Sequence, residues 1–135
     1  MKRIFTFAVL WFAFSLVINA EKSWAQYERY SAQNALLTLR PKAVFMGNSI
    51  TNNWAKFHPE FFAENNFLGR GISGQTTAQM LSRFQSDVVA LRPKMVIIMA
   101  GTNDIAMNNG YISHEHILQN IQSMCELAKH HKIKP

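Results

Sequence analysis

Residues 69–74 read GRGISG, and the reading of those six residues decides the fold. The spacing is that of the G-x-G-x-x-G turn that holds a dinucleotide pyrophosphate at a helix N-terminus. Such a turn follows the first strand of its unit, and an acidic residue about 20 positions on holds the ribose. Neither condition is met. An earlier apolar run ends at Gly47, so GRGISG follows a second strand, and the ALRPKM stretch past Gly74 has no carboxylate. Asp104, the next candidate, comes late and after a loop. The glycines must serve another group, and the elements around them show which.

Working outward, AVFM at residues 43–46 is a short apolar run between breakers, as suits a strand buried on both faces. NFLGRGI, around Phe67, is a second strand, and MVIIM at residues 95–99 a third. Between these last two, Thr76 and Gln79 form a capping-box signature, and Leu81, Phe84, Val88 and Leu91 recur at helical spacing. The polar loop AGTNDIAMNNG leads to Ser113, an N-cap, and a long amphipathic helix. Its expected buried stripe is Ile117, Leu118, Ile121, Met124, Cys125 and Ala128. Residues 26–41 form a polar lead-in of partly helical character, and the terminal IKP lies where a further strand would begin. Strands alternating with amphipathic helices predict an α/β fold with a parallel sheet covered on both faces. Ligands bind beyond the carboxyl ends of such strands. GNSIT, GRGISGQT and AGTND should therefore open onto one edge.

Lys2 and Arg3 precede an apolar run over residues 4–20, and Ser23 and Ala25 are small residues of the kind a signal peptidase reads. Residues 1–25 are thus expected to be an export signal cleaved after Ala25, the only part with membrane business. Its loss removes three cations and one anion from the net charge of +6, leaving +4. That charge is dispersed rather than gathered in the stripe of a nucleic-acid surface. The KHHKIK cluster at residues 129–134 suits the end of a helix dipole. Cys125 is the one cysteine, which excludes an internal disulfide.

Ser49 directly follows the first strand, as a nucleophile held on a tight turn would; a helix N-cap is its other reading. Gly74 offers an unshielded backbone N–H. Asn103 offers a side-chain N–H, or else serves only as a turn asparagine. Acyl transfer needs such donors, because charge builds on the carbonyl oxygen during attack.

In order along the chain, GNSI, GISGQT and GTND resemble the first three sequence blocks of the SGNH hydrolases, or GDSL-type esterases and acylhydrolases. The surrounding wording is most similar to bacterial members related to platelet-activating factor acetylhydrolase, with Gly69 where those have asparagine. The resemblance covers residue 42 onward. It implies Ser49 as nucleophile and an oxyanion hole from the N–H groups of Ser49 and Gly74 and the Asn103 amide. Asn48 and Asp104 would support them. It also implies a three-layer α/β/α flavodoxin-like fold, a small-molecule or glycan ester substrate, and no metal or organic cofactor.

Two departures stand out. Asn48 replaces the usual aspartate of Gly-Asp-Ser, which keeps the turn chemistry and loses the charge. The Asp-x-x-His that supplies the family's base is absent, since Ala90 and Met107 stand three residues after Asp87 and Asp104, the only aspartates. His58, His114, His116, His130 and His131 read as surface or capping residues. The chain is therefore expected to be the N-terminal part of an esterase, inactive alone. The alternative is a non-catalytic module that binds a carboxylate or an acetylated sugar.

Overall fold

The computed structural model describes residues 23–135; of the expected leader, residues 1–22 lie outside the described residues. The three expected strands form as β1 (Ala43–Gly47), β2 (Phe67–Gly71) and β3 (Met95–Met99). They pair in parallel in the order β2-β1-β3, with Phe45 opposite both Gly69 and Ile97. This is the order in which a flavodoxin-like sheet begins.

Side chains alternate across the pleat of β1 and feed two different layers. Val44 and Met46 join Val96 in one cluster with Met80, Phe84 and Val88, from α4 (Thr77–Asp87) and its end, and with Met124 and Ala128 of α6 (His114–His130). Phe45 points to the other face. There its ring meets Trp54 of α2 (Ser49–Phe57) and Phe62 of α3 (Pro59–Asn65), both at 5.3 Å, and Phe67 at 5.4 Å. Edge-to-face pairs of this kind add to the area they bury.

α4 starts with the expected capping box, the Thr76 N–H donating to Gln79 Oε1 at 3.0 Å. The turn after β3 carries α5 (Thr102–Ile105), and Ser113 caps α6 by accepting from the His116 N–H. Leu118 departs from the expected stripe: it is 66% exposed, because α6 faces only one layer and the position turns away from α4. α2 and α3, joined at His58, fill the connection between β1 and β2 that sequence periodicity left undefined. In the lead-in, only α1 (Ser31–Ala35) is helical, yet Tyr30 is buried, as is Ala25 just before the lead-in. At the other end, Lys134 bridges to β3, with the Val96 N–H donating to its carbonyl at 2.8 Å. No described helix is long and apolar enough to cross a membrane.

Candidate active site

Each strand tip bends into a loop, and every loop is hydrogen-bonded to the other two. The Ile72 N–H donates to the Gly47 carbonyl at 3.0 Å, tying the second loop to the first. Asn48 Nδ2 donates to Thr102 Oγ1 at 2.6 Å, tying the first to the third. Asn103 Nδ2 donates to the Gln75 carbonyl at 2.9 Å. Asp104 accepts from the Thr77 N–H at 2.9 and 3.1 Å and from its hydroxyl at 2.6 Å. These last contacts place a buried carboxylate at the N-terminus of α4, where the helix dipole favours negative charge.

Ser49 is the first residue of α2, half-buried at the open edge. The cap role considered for it belongs to Asn48, whose Oδ1 accepts from the Ile50 N–H at 3.0 Å. The serine hydroxyl makes no hydrogen bond to another described residue. Its N–H lies in the first helical turn, where backbone donors have no intrahelical acceptor. Asn48 uses both ends of its amide, at 1% exposure, so the uncharged residue satisfies the buried turn completely.

The glycines of GRGISG divide their work. A Cβ on Gly71 would lie 2.2 Å from the Asn52 nitrogen, and one on Gly69 would lie 2.5 Å from the Ala55 Cβ. Their bareness lets α2 lie directly on β2. Gly74 is exposed and has a φ of +79°, with nothing within 4 Å of an added Cβ. Asn103 is held at both ends, its Oδ1 accepting from Asn108 Nδ2 at 2.8 Å. One of its two N–H donors is anchored on Gln75, and the second is left over.

Behind these loops lies a support that the sequence reading missed. Arg83 is fully buried and donates to Gln75 Oε1 at 2.6 Å, to Asp87 Oδ2 at 2.9 Å and to the Arg70 carbonyl at 2.7 Å. Desolvation pulls the Arg83 pKa below the usual arginine value, and Asp87 opposes that shift. Arg70 is lowered for the same first reason and stacks on Tyr30. A signal existed: Arg83 and Asp87 are four residues apart on the helical face that carries Met80 and Phe84.

Four of the described histidines have contacts elsewhere, and His114 is exposed at the start of α6. His58 pairs with Glu60 at 3.4 Å, His116 Nδ1 meets Ser113 Oγ at 2.7 Å, and the His130 and His131 rings touch.

Comparison with known proteins bears on this arrangement. A GDSL-like lipase of Bacteroides thetaiotaomicron VPI-5482 is 50% identical, superposes with a TM-score of 0.79, and is matched over 83% of this chain and 57% of its own. A protein of Bacteroides fragilis NCTC 9343 is 51% identical, with a TM-score of 0.80, over 84% of this chain and 57% of its own. The Bacillus subtilis (strain 168) lipoprotein YqeF is 39% identical over 71 residues, 50% of this chain and 29% of its own length. The chain thus spans little more than half of its structural relatives. Residues 45–134, which carry all three loops, match the family model described as GDSL-like Lipase/Acylhydrolase, and the chain belongs to that family.

Proposed function

We propose that these residues are the N-terminal part of an exported serine esterase that cleaves carboxylic, chiefly O-acetyl, esters. Ser49 Oγ attacks the acyl carbon while its proton passes to a base, and the alcohol leaves from the tetrahedral intermediate. Water then hydrolyses the acyl-enzyme. The N–H groups of Ser49 and Gly74 and the spare Asn103 donor hold the oxyanion, a kind of contact worth about 3–4 kcal/mol each. The base comes from outside residues 1–135, in an Asp-x-x-His of the longer protein. Serine without such a base is a weak nucleophile.

The observation that carries this reading is the three-way hydrogen-bonded tie among the loops that hold Ser49, Gly74 and Asn103. For the substrate, a hollow of about 230 Å³ lined by Gln26, Arg29, Asn52, Ile72 and Ser73 supports a hydroxylated leaving group. Asn52 lies one helical turn from Ser49, and Ser73 precedes Gly74. Export is supported by the leader pattern and by the lipoprotein relative. The only cysteine here is Cys125 in α6, so a cysteine-linked lipid near the leader is excluded for this chain.

The test is a fluorophosphonate probe applied to the chain extended beyond Pro135. Labelling that maps to Ser49 and vanishes in Ser49→Ala supports the esterase. An unlabelled, folded protein that carries the Asp-x-x-His supports the binding module instead.

A further inference from the structure

Residues 23–34, the end of the expected leader and the start of the lead-in, make more contact with the site's support than a linker would. Ala25 is fully buried, and its carbonyl accepts from Gln75 Nε2 at 2.7 Å. The Trp24 carbonyl accepts from Gln79 Nε2 at 2.7 Å. That bond turns Gln79 Oε1 toward the Thr76 N–H, so the capping box of α4 is oriented from the lead-in. Further along, the Tyr30 hydroxyl donates to the Gly71 carbonyl. Asn34 donates to Asp87 Oδ1 at 2.8 Å and accepts from Arg70 at 2.7 and 3.0 Å. These bonds grip the second loop before and after Gly74, and Gln75 is the residue on which Asn103 rests.

We infer that residues 23–34 are a strap belonging to the folded domain, and that removal of the leader falls before Ser23 rather than after Ala25. Scission after Ala25 would take away the acceptors of two glutamine amides, one of them 1% exposed. It would also set a new ammonium at the half-buried Gln26, beside the buried Gln75 amide, donor against donor. Ala20 is the nearest small residue upstream of the strap. The strap argument stands on the contacts alone; only the processing step rests on the export reading.

The deciding measurement is the intact mass of the natural full chain recovered after export. A first residue at or before Ser23 is expected, and a folded protein beginning at Gln26 overturns the inference. A chain that still begins at Met1 refutes leader removal while retaining the strap, and trypsin then decides. Arg29 is exposed, but the docked strap holds it in a turn, and local opening must precede cleavage. The Arg29–Tyr30 bond should be cut at least about tenfold more slowly than in Ala25→Arg, whose side chain cannot enter the buried position. Equal rates would overturn the strap. Should Ala25→Arg be digested throughout, Gln79→Glu keeps an acceptor for the Thr76 N–H, removes the donor to the Trp24 carbonyl, and should still raise cleavage at Arg29.

Discussion

The Asn103 side-chain amide donates one hydrogen to the Gln75 carbonyl at 2.9 Å, while its oxygen is held by Asn108. Two anchors on a planar group fix its third direction, so the remaining N–H is aimed before any substrate arrives. Preorganisation of this kind is what makes an oxyanion donor effective.

Asn103→Ala in the active protein should therefore lower kcat by about 10²- to 10³-fold with little change in KM, the pattern of a contact made only in the transition state. Asn103→Asp should fare no better, since a carboxylate keeps the bond from Asn108 and supplies no donor. A raised KM with kcat intact would show that Asn103 binds substrate instead.

Gly74→Ala tests the loop without a clash. The added methyl meets open space, yet a φ of +79° is unfavourable for alanine. A stability loss of about 1–2 kcal/mol is expected in urea titration. Gly71→Ala should cost clearly more, because its methyl would strike the Asn52 nitrogen and lift α2 from β2. Equal losses would mean that α2 shifts freely.

β1 and β3 were legible in the sequence as apolar runs that follow a proline and lead to a glycine, β2 by its Phe67–Leu68 start before the glycines, and all three formed where they were expected. The loops were legible because GNSI, GISGQT and GTND each combine small and polar residues at strand tips. Periodicity could not deliver α2, whose aromatic contacts run through Trp54 to α3, or the reach of Trp24 and Ala25 back to α4. Those contacts join residues some 50 positions apart through backbone carbonyls, which leave no trace in side-chain patterning. Leu118 misled for the converse reason: an apolar side chain may match the helical period and still face outward.

Arg83 and Asp87 make the energetic case for the buried network. Removing one partner strands a charge in the core, a loss of about 3–5 kcal/mol, whereas replacing both by apolar residues is often neutral. Arg83→Met should accordingly destabilise by that amount in denaturant titration. The pair Arg83→Met with Asp87→Leu should recover part of the loss, short of all of it, because Gln75, Asn34 and two carbonyls also lose partners. Full recovery would mean that the network serves charge balance alone.

β3 gives the last test. Met95 and Ile97 are 38% exposed and Met99 is 40% exposed, on the face where Phe45 is covered by α2 and α3. Those helices pack chiefly on β1 and β2. Among the described residues, the outer edge of β3 is hydrogen-bonded only at its start, through Lys94, Val96 and Lys134. An apolar face beside an open edge invites pairing between chains. The 135-residue chain should therefore associate as its concentration rises, and Ile97→Lys should suppress this by placing a charge on the bare face without touching the Val96 side of the core. Sedimentation velocity across a dilution series reads the difference. A wild-type chain that stays monomeric throughout would show that Lys134 and the strand's own twist are enough to close the edge.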